Sequence, residues 1–359
     1  MKVRSQLHMR SASQSHTMSR VENSACTNSV ADTRTVAIIG CGNFAFSTIA
    51  YYLKNAEPSF LRATCDIEPS RARSLCRAYN GAYSTTNVED LLQDPMIKLV
   101  FISSNHATHA TYASACLAAG KSVHIEKPHA VTHEQLTLLA ETIQHHPHQQ
   151  VFLGYNRPRS SHHRTIVELA AQETGPYMID WFIAGHKIPD NHWYFAEAEG
   201  GRVLGNLCHW LDSSLQTIGQ TGFFPCTLIP SSRPTSKSEY SITIDCADGS
   251  LVSLSFSAKG HTFEGVREVM SLHRGGTLVL LRDFEETRLQ KGSTHRVHRT
   301  LFRDHGHQAN ILNSYNGAIG ITASSGEPLS YVMNSGRLSL AARTALETGV
   351  QVTLEAWQP

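Results

Sequence analysis

The chain has no uninterrupted apolar run approaching the roughly 18 residues of a membrane-spanning helix, so no membrane partnership is expected. It has almost no charge imbalance. Its 31 Lys and Arg stand against 30 Asp and Glu, a formal net charge of +1, which removes the electrostatic case for nucleic acid or an anionic membrane as partner. It has no CxxC pair. Its eight cysteines, Cys26, Cys41, Cys65, Cys76, Cys116, Cys208, Cys226 and Cys246, are scattered, several of them in apolar runs. That is the usage of reduced, buried thiols in a reducing compartment such as the cytoplasm, not of a disulfide framework. A secretory apolar segment and internal repeats are missing as well.

Acidic residues are missing from positions 1–21, which hold three arginines and one lysine. A transit peptide is one reading of that pattern. A flexible extension, or a start at Met9 or Met18, is the other. Residues 1–33 are polar, without apolar periodicity, and are expected to be a disordered tail. The remaining length suits two domains, expected at 34–154 and 155–359.

In the first of these, short β-branched runs alternate with helical spacing. Strands are expected at 35–39, 61–65, 97–102, 122–125 and 150–153. Helices are expected at 44–55, 69–79, 106–119 and 132–145, with Leu91-Leu92 closing a shorter one. This alternation implies an α/β doubly wound parallel sheet, the Rossmann arrangement. The second half has another pattern. Tyr240, Ile242 and Ile244 alternate with polar residues, and so do Val252, Leu254 and Phe256 with serines. Period-two patterning predicts a largely antiparallel open sheet. Helices at 203–218, 308–323 and 331–348 make this domain α+β.

Two features carry chemistry. Gly40-Cys41-Gly42, with Ala45 in the third small position, follows a strand and opens a helix. The first glycine makes the tight turn, the second lets backbone approach a pyrophosphate, and the helix N-terminus favours phosphate. Asp66 ends the next strand, 26 residues beyond Gly40. A carboxylate there accepts from ribose hydroxyls and repels a 2′-phosphate, which favours NAD; Arg71 keeps NADP open. The other reading of Asp66 is a cap on the helix that starts near Pro69. Ser103, Ser104, Asn105 and His106 follow the 97–102 strand, where parallel-sheet loops line the ligand crevice. His106 and His109 have HxxH spacing, but no third ligand stands out and no metal is expected. The second feature is Glu126-Lys127-Pro128, which puts a cationic amine at the end of the strand 122–125.

Gly40-Cys41-Gly42-Asn43-Phe44-Ala45, Asn105-His106-Ala107-Thr108-His109 and Gly120-Lys121-Ser122-Val123-His124-Ile125-Glu126-Lys127-Pro128 resemble the glucose–fructose oxidoreductase and inositol dehydrogenase (Gfo/Idh/MocA) family. Gly154-Tyr155-Asn156-Arg157-Pro158 resembles that family's entry to its second domain. The segment from Gly200 through His209 to Asp212 resembles its catalytic helix, and Gly306-His307-Gln308 the start of its late helix. The resemblance covers nearly everything after residue 34. It implies an NAD(P)-dependent oxidoreductase acting on a hydroxyl or keto carbon of a sugar or cyclitol, and a homodimer or homotetramer. The cofactor would lie on Gly40, Gly42, Asn43, Phe44, Asp66, Arg71, Ser103, Ser104, Asn105, His106, His109, Glu126 and Lys127.

Alcohol oxidation needs a hydride acceptor and a route for the hydroxyl proton. Lys127 is expected to hydrogen-bond the reacting oxygen and stabilise its charge; the alternative is a surface lysine at a strand end. His209 is the second candidate, sharing a helix face with Gly205 and Asp212; the alternative is a core histidine bonded to a backbone carbonyl. The resemblance implies an Asp at the position of Gly205, so either Asp212 orients His209 or His209 works with Lys127 alone. Tyr155, Asn156, Arg157, Asn206 and Asp212 are expected to shape the substrate site, with His192 and Trp193 covering it. Trp193 is equally readable as packing. Two alternative functions stay open: reduction of an imine or conjugated carbonyl, and a non-catalytic NAD-sensing protein.

Overall fold

The computed structural model describes residues 32–231, 239–259 and 265–358, and the backbone of 20–22. Seven strands form the first sheet: β1 (Arg20–Glu22), β2 (Val36–Ile39), β3 (Leu61–Cys65), β4 (Tyr83–Thr85), β5 (Leu99–Ile102), β6 (Ser122–Ile125) and β7 (Val151–Leu153). Their order is β1-β4-β3-β2-β5-β6-β7. Strands β2 to β7 are parallel, and β1 runs antiparallel along β4. Leaving β1 aside, this is the doubly wound dinucleotide order, with its switch point between β2 and β5.

Each of the six parallel strands is short and almost wholly buried, as parallel strands covered on both faces must be. The helix Pro69–Ala78 starts with Pro in its first turn, where a missing N–H costs nothing, and buries Ala72, Leu75 and Cys76. The helix His109–Ala118 stops before Gly120, whose φ of +76° only glycine adopts readily. The expected helix at 44–55 begins with a π turn, Ala45–Ile49, before the α-helix Ala50–Ala56.

Two expectations need correction. The disordered tail at 1–33 lies mostly outside the described residues, but Arg20–Glu22 within it adds a strand to the sheet edge. The division at residue 154 is also incomplete. The chain splits into one unit of 1–130, 134–154 and 308–329, and another of 131–133, 155–307 and 330–359. The late helix His307–Ala318 places Ile311 and Tyr315 in the core with Val36, Ile38, Leu99 and Phe101. Asn310 Nδ2 donates to Leu153 O at 3.0 Å. Sequence spacing marks a helix there without saying which sheet it covers.

The second unit holds nine strands: β8 (Met178–Ala184), β9 (Cys226–Pro230), β10 (Glu239–Cys246), β11 (Leu251–Ser257), β12 (Arg267–Arg274), β13 (Thr277–Arg282), β14 (Glu286–Lys291), β15 (Thr294–Arg299) and β16 (Val352–Leu354). Their order is β15-β14-β13-β12-β8-β11-β10-β9-β16. Every pairing is antiparallel except β8 with β11. One face is buried, through Ile179, Trp181 and Ile183 of β8 and Val252, Leu254 and Phe256 of β11. The helix Ser161–Ala170, unexpected from the sequence, is capped by Ser160, whose side chain accepts from His163 N at 3.0 Å.

Candidate active site

In the first unit the glycine turn sits at the switch point of the sheet. Gly40 has φ +85°, and a Cβ there would lie 2.4 Å from Ser104 N and 2.5 Å from Ser103 C. Only glycine lets the ends of β2 and β5 close in this way. Ser103 N donates to Ile39 O at 2.8 Å and Ser103 Oγ to Gly40 O at 2.9 Å, fixing the two loops together. A Cβ on Gly42, by contrast, meets nothing within 4 Å. The surface above the second glycine is open, as approach of a pyrophosphate requires. Ala45 is buried in the core, Phe44 packs against it, and Asn43 is exposed beside the turn.

Asp66 is anchored by backbone. Its Oδ2 accepts from Cys41 N at 2.7 Å and its Oδ1 from Glu68 N at 2.8 Å. The carboxylate therefore ties the β3 end to the glycine turn, and the lone pairs left over are its capacity for ribose. Arg71 is exposed on the first turn of the next helix. Asn105 is exposed and His106 buried. His109 is buried with its ring between two carbonyls, Pro128 O at 2.8 Å from Nδ1 and Ser104 O at 3.0 Å from Nε2. Burial lowers its basicity, while the two carbonyls oppose that. The ring thus bridges the loop after β5 and the residues that follow Lys127.

Glu126 is buried at the end of β6, and Lys127 is partly buried beside it. Glu126 Oε1 lies 3.3 Å from His124 Nε2, and His124 Nδ1 lies 2.8 Å from Ser314 Oγ. Ser314 in turn donates to Asn310 O at 3.1 Å. A Cβ on Gly154 would fall 2.7 Å from Glu126 Oε2, so glycine is needed there for the carboxylate to fit. His124 and Ser314 were not singled out by sequence. The only signal was a histidine in a buried strand, two residues from Glu126.

In the second unit, residues 203–207 form a π turn that runs into the helix Cys208–Ile218. Gly205 is buried in the turn, and Asn206 is partly exposed. His209 is nearly buried, with the Tyr155 ring edge-on at 6.3 Å. Burial pushes the Tyr155 phenol well above its ordinary range, and nearby Cys208 and Asp212 add to that. Asp212 accepts a short hydrogen bond from the Tyr331 hydroxyl, which itself accepts from Gln216 Nε2 at 2.6 Å. Sequence did not suggest Tyr331, which lies 119 residues away.

Asn156 and Arg157, both expected at the substrate, have partners inside the second unit, while Asn156 Oδ1 is buried without a hydrogen-bond partner. Asn156 Nδ2 donates to His305 O at 2.6 Å. Arg157 donates to Glu268 through Nε at 2.7 Å and NH2 at 3.0 Å, and its guanidinium lies 4.6 Å from the Trp210 ring centroid. Trp210 Nε1 donates to the same carboxylate at 2.6 Å. Burial alone would raise the Glu268 carboxyl, but Arg157 and His305 bring it down to about 2. Two donor groups of Arg157 are thus taken up by an internal partner. His192 caps a short turn, Nδ1 accepting from Tyr194 N at 3.3 Å, and Trp193 is exposed next to it. Among the described residues no group of three or more His, Cys, Asp or Glu is placed to hold a metal.

A doubly wound sheet with a glycine turn at its switch point, followed by a mostly antiparallel sheet, defines a two-unit protein of the nicotinamide-dinucleotide class. Residues 34–155 match the family described as oxidoreductase family, NAD-binding Rossmann fold (GFO_IDH_MocA). An uncharacterized oxidoreductase of Synechocystis is 26% identical over 197 residues, 51% of this chain and 53% of that protein. An inositol 2-dehydrogenase of Ralstonia nicotianae is 27% identical over 135 residues, 37% of this chain and 40% of that protein. The chain thus spans about half, or less, of these curated relatives. GenD2 from gentamicin A biosynthesis, solved in complex with NAD, has a TM-score of 0.75 and 19% identity, covering 90% of this chain and 97% of its own, a likeness of fold.

Proposed function

We propose that the protein is an NAD-dependent oxidoreductase, with NADP the second candidate cofactor, that moves a hydride between nicotinamide and a CH–OH or C=O carbon of a polyhydroxylated sugar or cyclitol. The observation that carries this reading lies within the first unit. The tight Gly40 turn and the partly buried Lys127 stand at the carboxyl ends of strands of one parallel sheet. Ligands of such sheets bind outside those ends. The inositol 2-dehydrogenases among the relatives support a cyclitol-like substrate.

Nicotinamide, when bound, supplies the hydride donor or acceptor. Gly40, Gly42, Asn43 and Phe44 would hold the pyrophosphate end, Asp66 the adenosine ribose, and Ser103, Ser104, Asn105, His106 and Glu126 the nicotinamide side. Lys127 hydrogen-bonds the reacting oxygen and stabilises its negative charge. His209 takes the hydroxyl proton in oxidation and returns it in reduction. Tyr155, Asn206 and Asp212 shape the substrate surface, and His192 and Trp193 cover it. The seven described cysteines are buried and in no disulfide, which suits a cytoplasmic protein. Phe182, exposed on β8, supports self-association as a homodimer or homotetramer.

The test is a polyol panel with NAD and NADP, read by nicotinamide absorbance. Lys127→Ala is expected to lose at least about 100-fold in kcat while keeping NAD affinity. Full turnover by that variant overturns the assignment. A second reading, reduction of imines or conjugated carbonyls, is favoured by Gly205 where the resemblance implies Asp. A panel in which imines are reduced and polyols are inert would establish it. Tight NAD binding without any turnover would support the NAD-sensing alternative.

A further inference from the structure

We propose that the second unit also holds a binding site for a small apolar-bodied monocarboxylate, built on the buried guanidinium of Arg202. Arg202 immediately precedes the π turn Val203–Leu207 and is 2% exposed. A cation buried so far from water is normally paired with a carboxylate. Among the described residues Arg202 makes no ion pair. Its NH2 donates to His186 O at 2.7 Å, and its Nε is buried with no hydrogen-bond partner. The titratable groups around it are His186 and two phenols, Tyr194 and Tyr240, and its guanidinium lies 5.8 and 5.9 Å from the Phe195 and Phe256 ring centroids. Arg157, comparably buried, shows the contrast, since Glu268 satisfies it on two sides.

Arg202 lines a cavity of about 330 Å³ together with Phe195, Gly201, Tyr240, Arg343 and Glu347. That volume suits a small organic molecule. The charges around it select the ligand. Arg343 is already neutralised by Glu347 at 2.8 Å. Glu197, the other acid lining the cavity, is exposed and makes no ion pair with Arg202. One positive charge and one unpartnered N–H, that of Nε, are left over, which match a single carboxylate better than a phosphate dianion. Phe195 and Tyr240 provide an aromatic wall for the body of the molecule. A Cβ on Gly201 meets nothing within 4 Å, so the rim beside Arg202 is open. Neither Asn206 nor His209 lines this cavity, and the site does not depend on the oxidoreductase reading.

The probe is 4-fluorobenzoate, followed by ¹⁹F NMR line width on the full chain without cofactor, with 4-fluorobenzamide as the neutral control. Saturable broadening is expected for the acid and not for the amide. Arg202→Met, which orphans no carboxylate, is expected to fold and to bind at least tenfold more weakly. Gly201→Asp, a residue that tolerates positive φ, sets a competing charge at the rim and is expected to weaken binding similarly; it decides the matter if Arg202→Met does not fold. His209→Ala is expected to bind as the parent does. The proposal is overturned by absence of saturable broadening, by equal binding of the amide, by full binding in the charge variants, or by loss of binding in His209→Ala. None of these results bears on the Lys127 experiment.

Discussion

Arg157 and Glu268, 111 residues apart, meet in a bidentate pair with contacts of 2.7 and 3.0 Å. Both are buried, and Trp210, the neighbour of His209, donates to the same carboxylate. Removing one partner leaves the other as an uncompensated buried charge, which costs about 3–5 kcal/mol. Glu268→Ala and Arg157→Ala are therefore expected to lose stability on that scale in urea titrations, and the double variant to lose much less than the two combined.

The same pair sets an acid limit. The folded carboxyl of Glu268 is held at about 2, below its ordinary 4.5. The unfolded chain takes up the proton first as pH falls, so this stabilisation is complete above pH ~4.5 and is lost as pH drops towards ~2. Glu268→Gln should be less stable than the parent at pH 7, with a shallower loss over that window. Equal slopes would show that another carboxylate governs acid unfolding.

His163 gives a second window, at higher pH. Buried beside Ser213 O and Thr217 Oγ1, its ring is pushed down from 6.5 to about 4. The fold prefers it neutral. Its contribution is whole above pH ~6.5 and declines as pH falls towards ~4, by on the order of 3 kcal/mol. His163→Gln should flatten stability between those values, as read by thermal unfolding at half-unit pH steps.

The two glycines of the turn should separate cleanly. Gly40→Ala forces a Cβ against Ser103 and Ser104 at positive φ and is expected to cost at least about 2 kcal/mol. Gly42→Ala meets no protein atom within 4 Å, so its melting temperature should match the parent while NAD affinity falls at least tenfold. Parent-like NAD affinity in Gly42→Ala would show that the dinucleotide does not pass over this turn.

The doubly wound class of the first sheet and the glycine turn were legible because both leave local patterns. A β-branched run ending in glycine, repeated with helical spacing between, fixes a doubly wound sheet. What was not legible depended on distant partners. Arg157 reads as a site residue until Glu268 is brought beside it. Glu268 itself gives no signal in the sequence, yet it occupies a buried position in β12. Strand β4 is three residues long, too short for any period to register. Tyr331 declares nothing until its hydroxyl meets Asp212.

The return of residues 308–329 to the first sheet bears on how this protein can be cut and recombined. A fragment ending at 154 would leave Phe152 without its neighbour Gly317, and the Leu153 carbonyl without its donor from Asn310. Grafting the dinucleotide module onto another scaffold therefore means transplanting two discontinuous stretches, and a chimera joined at a single seam would begin life with a hole in its hydrophobic interior.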